Sequence, residues 1–386
     1  MCVSERYDTN IFYRAPTPGV DSKDFVTDVN PMLRVNHNGD YASGFLNVGG
    51  FSETYAKNPN LNYLGTRDTL SLNLDNSIKR WLPNASLSVT DTFSYTPLPP
   101  GYANPIAGSS PSAPENIQNV YAQGFLGFRT NNLMNSGTVS TSYAMTASTS
   151  LNASYNYSII RFGSSPSTQG LTLFDTTTQT GTVGGATRLS ELDTLNVRYA
   201  HTETDRTTPS SSSIGPSSSF FTIDTVTMGW SRNLTSNLSA QLGGGGILIS
   251  PGITTYAANA ALVMNSLNNN ATLSYSRTAF PNFTGAGGTG GGILIGDAFS
   301  LSAIQTIDRQ WQLSETASYT HTSGASGLNQ LAFDSFSAGG DIRYWVTSIW
   351  STALSYNYQK FKQEVGSLKT DFDRQVIMFS VIATWS

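Results

Sequence analysis

The stretch Thr149–Ile159 alternates without a break. Leu151, Ala153, Tyr155, Tyr157 and Ile159 fall on one parity, and Ser150, Asn152, Ser154, Asn156 and Ser158 on the other. Successive side chains of a strand point to opposite faces, so this strand has a greasy face and a small polar one. A soluble sandwich has such strands too. What narrows the choice is recurrence. Leu70, Leu72 and Leu74 alternate with Ser71, Asn73 and Asp75, and Trp350, Leu354, Tyr356 and Tyr358 with Ser351, Ser355, Asn357 and Gln359. Ala85, Leu87, Val89, Phe93 and Tyr95 alternate with Ser86, Ser88, Thr90, Thr92 and Ser94. Asp91 interrupts that last series on its apolar side, leaving a bulge and a paired carboxylate both open.

Short turns recur near Asn36–Asp40, Trp81–Asn84, Thr146–Thr149, Leu189–Asp193, Leu234–Asn237, Leu267–Asn270, Ile307–Gln310 and Val346–Ser348. Most lie roughly 40 residues apart, which fits two long strands and one longer loop per repeat. The reading is all-β: a transmembrane antiparallel β-barrel of about 18 strands, with 16 to 20 open, filling residues 1–386 as a single domain. Its first strand is expected over about 5–15, its fourth over 67–80 and its last over 371–386. The long loops are rich in Ser, Gly or Pro. The longest, Pro97–Arg129, is either a plug in the lumen or an external loop.

Composition agrees. Only 12% of the 386 residues are charged and only 38% are hydrophobic. That pairing suits disorder or a membrane barrel, and the aromatics with the sustained alternation argue against disorder. No run of 18 apolar residues exists, so no membrane helix is expected. A mean hydropathy of -0.20 is compatible with alternating strands. No signal peptide is visible, which suggests a mature or trimmed sequence. A net charge of -4 argues against a nucleic-acid partner. Cys2 is the only cysteine. It reads either as part of a new start or as a lipid-bearing residue, and the Met before it counts against the lipid.

Trp81, Trp230, Trp311, Trp345, Trp350 and Trp385 all lie within a few residues of a short turn or of the C-terminus. Interfacial tryptophans form girdles because the ring is apolar and its N–H wants a polar partner. The six are therefore read as a periplasmic aromatic girdle. Ile377, Phe379, Val381, Ala383 and Trp385 share one parity on the last strand.

No catalytic, cofactor or metal site is expected. His37 sits in a turn. His201 has Glu203 and Asp205 at same-face spacing, which a polar rim explains more simply than a metal or a base. His321 has only Ser and Thr around it. Gly243–Gly246 lacks a following helix to hold a phosphate and marks a bulge or a close backbone approach. The lumen face is the informative surface. Its candidates are Ser150, Asn152, Ser154, Asn156 and Ser158, with Asp75, Arg198 and Arg374 as charges. Such a mostly neutral wall suits uncharged hydroxylated cargo, or a barrel filled by another protein.

Ser4-Glu5-Arg6-Tyr7-Asp8-Thr9-Asn10-Ile11-Phe12, then Lys23-Asp24-Phe25-Val26-Thr27 with Pro31, then Thr92-Phe93-Ser94-Tyr95-Thr96-Pro97, resemble landmarks of a porin-like family. The family comprises bacterial outer-membrane β-barrels associated with exosortase and exopolysaccharide loci. The resemblance implies an outer-membrane location, membrane lipid, lipopolysaccharide and the barrel-assembly machinery as partners, a final strand read as the insertion signal, and a role in polysaccharide export. Three functions are weighed, in this order: a channel for polar, saccharide-like cargo, a sheath around a multihaem cytochrome in an electron conduit, and an outer-membrane enzyme. The chain has no CxxCH motif, so any haem belongs to the partner.

Overall fold

Most of the short turns are built alike. In five of them an apolar residue is followed by Ser, Thr or Asp, whose side-chain oxygen accepts backbone N–H groups ahead of it; Ser266, after Asn265, does the same. Thr146 accepts from Ser148 and Thr149 at 3.2 and 3.0 Å. Ser190 accepts from Leu192 and Asp193, Thr235 from Asn237 and Leu238, and Asp308 from Gln310 and Trp311. Thr347 accepts from Ile349 and Trp350, and Ser266 from Asn269. These residues mimic a backbone turn and reverse the chain within a few residues.

The computed structural model describes residues 1–12, 21–97, 131–163, 171–207, 218–281, 284–286, 292–325, 331–365 and 368–385. Its strands are β1 (Cys2–Asp8), β2 (Asp24–Asn30), β3 (Met32–Asn38), β4 (Ser43–Tyr55), β5 (Tyr63–Asn73), β6 (Ala85–Thr96) and β7 (Asn132–Ala144). They continue as β8 (Thr149–Phe162), β9 (Leu171–Leu173), β10 (Asp175–Arg188), β11 (Asp193–Thr207), β12 (Ser218–Asn233), β13 (Leu238–Ile249) and β14 (Ile253–Asn265). The last are β15 (Asn269–Pro281), β16 (Thr284–Ala286), β17 (Ile293–Thr306), β18 (Trp311–Gly324), β19 (Leu331–Trp345), β20 (Trp350–Val365) and β21 (Leu368–Ala383). One four-residue helix, α1 (Asp75–Ile78), sits in the turn after β5.

Nineteen strands form one sheet, and β1 pairs with both β2 and β21, so the sheet closes on itself. Every pairing is antiparallel. β2 and β3 are one stave. Val29 faces Ser52 and Met32 faces Gly49 in unbroken register, and Pro31, which lacks an N–H, only accepts from Gly50 at 3.1 Å. The wall therefore has the expected eighteen staves. At about 4.8 Å spacing and about 40° tilt, eighteen staves enclose a cylinder roughly 35 Å across. β9 and β16 lie outside the wall. They pair Leu171–Leu173 with Thr284–Ala286, so the loop before β10 clasps the loop before β17.

A closed wall of one layer has two faces, and registry carries each face from strand to strand. Ser136, Ser140 and Ser142 face Ser158, Ser154 and Asn152. Across β8 and β10, Ser158, Asn156 and Ser154 face Thr178, Thr180 and Thr182. The other face carries exposed Leu151, Tyr155, Tyr157, Val183, Val197 and Tyr199. Fully buried residues such as Arg6, Arg206 and Arg374 share the Ser/Thr parity, so that face points inward.

Two strand ends differ from the sequence reading by more than about four residues. β1 ends at Asp8 because the chain leaves the wall there. The Asp8 carboxylate accepts from the Asn10 N–H at 3.0 Å, and Ile11 packs inside against Val26 and Tyr55. β5 stops at Asn73 and gives way to α1, so Asp75 is not on a strand. It accepts from Leu87 N–H at 2.9 Å instead. Asp91 needs no bulge: β5 and β6 stay in register across it, and its carboxylate accepts from Asn135 Nδ2 at 3.1 Å on the outward face.

Candidate functional site

The bore has two zones. Towards the long loops, inward residues are buried: Ile160 and Phe162 on β8, Thr204 and Arg206 on β11, Ile247 and Ile249 on β13, and Thr320 and Thr322 on β18. Towards the short turns, inward residues of β7 to β14 stay partly open. Ser150, Asn152, Ser154, Asn156 and Ser158 lie in this open part, with Asn156 Nδ2 donating to Ser136 and Thr138 at 2.9 and 2.8 Å. Arg198 is also inward and exposed, with a long contact to Thr182. Arg374 faces inward but is buried, and lines no open surface.

Arg374 belongs to a node at the seam where the first and last strands meet. Its Nε and Nη2 donate to Asp8 at 3.0 and 2.5 Å. One step along β1, Arg6 Nη1 donates to both oxygens of Asp28 at 2.8 and 2.7 Å, and Nη2 to Glu53 at 2.8 Å. Tyr55 donates to the same Glu53 carboxylate. Together these bonds tie β21 to β1, and β1 to β2 and β4. Asp24 accepts from the backbone of Lys57 and Asn58 at the same seam. The sequence landmarks Ser4–Phe12 and Lys23–Thr27 are therefore closure elements. Outside the wall nearby, Lys57 donates to Asp21 at 2.9 Å and holds that carboxyl below its usual range.

Charge in the bore is biased. Among described inward strand residues that are not buried, Arg34, Arg67, Arg188, Arg198 and Arg343 are cationic and Asp341 alone is acidic. None of these five arginines is in an ion pair among the described residues. Sequence reading expected a mostly neutral wall. It named Arg198 and missed Arg34, Arg67, Arg188 and Arg343.

The histidines face outward. His201 Nδ1 lies 2.8 Å from Asp224 and 3.3 Å separates Nε2 from Glu203, while Tyr199 donates to the same aspartate. His321 and Tyr319 share Asp334 in the same way, and Arg277 and Tyr275 share Asp297. Three Tyr–Asp–base sets thus mark one outward level. The tryptophans mark another. Trp230 Nε1 donates to Asp193 at 3.0 Å, Trp311 packs on Tyr344, and Trp350 on Trp385. Trp81 is exposed beside its turn. Trp345 departs from the expected girdle, taking the inward parity beside Arg343. From Asp193 to His201, or Trp311 to His321, the strands climb roughly 20–25 Å along the axis. Between the levels the outward face is mostly apolar, with Leu195, Val197, Leu313 and Ala317; Glu315 on β18 and Asp91 on β6 are charged exceptions.

No protein-family model matches the sequence, and no curated protein matches it. Solved structures do. The siderophore receptor PirA of Acinetobacter baumannii matches with a TM-score of 0.47 at 7% identity, over 100% of this chain and 80% of the receptor. OccK2 (OpdF) of Pseudomonas aeruginosa matches with a TM-score of 0.47 at 12% identity, over 100% of this chain and 98% of that one. A mutant of the ferric enterobactin receptor PfeA, also from Pseudomonas aeruginosa, has a TM-score of 0.49 at 10% identity, over 100% and 80%. At these values they are likenesses only.

Proposed function

We propose that the chain is an outer-membrane channel that passes polar, hydroxylated solutes. The observation that carries this is the wall itself: a mostly apolar outward band between two interfacial levels, around an inward face of Ser, Thr, Asn and Arg that is partly open. An outward band of about 25 Å is what an outer-membrane barrel presents to lipid. The short turns then face the periplasm and the long loops the exterior. Hydroxyl and amide groups replace a solute's hydration shell without fixing a counter-ion, which supports sugars as cargo. The unpaired arginines add a preference for anions. Both hydrogen-bonded histidines face away from the bore, which supports transport over catalysis. The test is recording in planar bilayers with purified protein. Stepwise, ohmic conductance is expected. A folded barrel that inserts and passes no current would refute the channel.

A further inference from the structure

On the open side of the bore, one row of register runs Asn196, Gly229, Gly243, Asn259 across β11 to β14. The two glycines form a floor between two asparagines. Each amide lies over its neighbouring glycine: a Cβ on Gly229 would come within 2.7 Å of Asn196 Oδ1, and one on Gly243 within 2.4 Å of Asn259 Oδ1. Only glycine leaves that space. The amides therefore lie side by side, flat against the wall. Thr227 borders them in the row above, and Ser231 and Gln241 in the row below. Asn196, Thr227, Gly229, Ser231, Gln241 and Asn259 line a concavity of about 170 Å³, and Gly243 pairs with Gly229 beside it. Arg198 stands beside Thr227.

The amides of Asn196, Gln241 and Asn259 have no hydrogen-bond partner among the described residues. Several hydroxyls elsewhere in the bore pair with each other, Ser86 with Ser142, Ser88 with Ser140, and Ser318 with Ser337; Asn152 over Gly184 and Asn357 over Gly339 repeat the Asn-over-Gly arrangement singly. The concavity thus holds unspent donors and acceptors in a compact set. An amide offers one N–H side and one C=O side, the pattern that two adjacent hydroxyls complement. No large apolar face is required, because the floor is backbone.

From this we infer a binding subsite for a single sugar ring on the inner wall, formed by Asn196, Gln241 and Asn259 over Gly229 and Gly243. It deepens the channel reading by naming where cargo pauses and which groups recognise it. The run Gly243–Gly246 thereby gains a reason: its first member lets Asn259 fold down.

The experiment uses the full chain in detergent, with D-glucose as probe and saturation-transfer NMR as readout. Wild type should show a saturable signal. N196L/N259L should weaken it about tenfold or more, since both recognising amides are lost. G243A, which keeps both amides but pushes Asn259 aside, should weaken it too. Heat-modifiable electrophoretic migration shows whether each variant is folded. A folded wild type with no saturable signal, or variants that bind as tightly as wild type, would overturn the subsite. Bilayer conductance of the same preparation separates the two readings. Conductance without glucose binding removes the subsite and leaves the channel; glucose binding without conductance does the reverse.

Discussion

Arg6 is the test of how the barrel closes. Its side chain is 2% exposed, and it bridges Asp28 and Glu53, whose side chains are 7% and 1% exposed. Arg6→Met removes the guanidinium and leaves two buried carboxylates facing each other. Breaking a buried pair in this way costs about 3–5 kcal/mol, because the remaining charges lose their compensation. The node also joins β1 to its neighbours along only seven register pairs on each side, against sixteen between β20 and β21. Arg374 with Asp8 ties the same stave to β21. The assay is reversible urea unfolding in lipid vesicles, followed by fluorescence of the six tryptophans. R6M should lose about 3–5 kcal/mol, and R6M/D28N/E53Q should regain most of it, since neutral groups need no counter-charge. Salt should matter little, as buried pairs are weakly screened. A loss below about 1 kcal/mol in R6M would refute the lock, as would a triple variant no more stable than the single.

Other outcomes follow from the same wall. Tyr155→Arg places a charge in the outward band and should cost about 2–4 kcal/mol, whereas Ser154→Arg should leave unfolding nearly unchanged and alter conductance; equal stabilities would reverse the assignment of faces. The five open arginines predict anion selectivity, read as a chloride-directed reversal potential in a KCl gradient. R198E/R343E should reduce it, and the effect should fade above about 1 M salt, where the screening length falls to about 3 Å. A cation-directed potential in wild type would contradict the charge reading. Thr172 and Gly285 face each other in the β9–β16 clasp. In a C2S background, T172C/G285C should form a disulfide in folded protein and not in urea, because paired strand positions lie within about 4.5–5.5 Å. Failure to cross-link would mean that the clasp does not persist.

Alternation revealed the wall to sequence reading because a closed, two-faced sheet imposes it on every strand. Thr149–Ile159 illustrates this, since both its neighbours put Ser and Thr opposite its polar residues. What stayed hidden depends on three-dimensional juxtaposition. The Asp8 turn that ends β1 looks like one more alternating position. Arg374 reads as a lumen charge until its partner, far away in sequence, is placed beside it. The Asn–Gly row was invisible because its four members lie on four strands, although a glycine set one register step from each asparagine is a signal that pairing would have shown. Five of the turns did carry a local signature, an apolar residue followed by Ser, Thr or Asp.

The claim that one face of each stave meets water and the other meets lipid can be tested directly on β8. Single cysteines at residues 150 to 159, in a C2S background, are exposed to a charged, membrane-impermeant thiol reagent in vesicles. Labelling should alternate, with positions 150, 152, 154, 156 and 158 reacting and 151, 153, 155, 157 and 159 protected. Labelling without alternation, or alternation of the opposite phase, would contradict it.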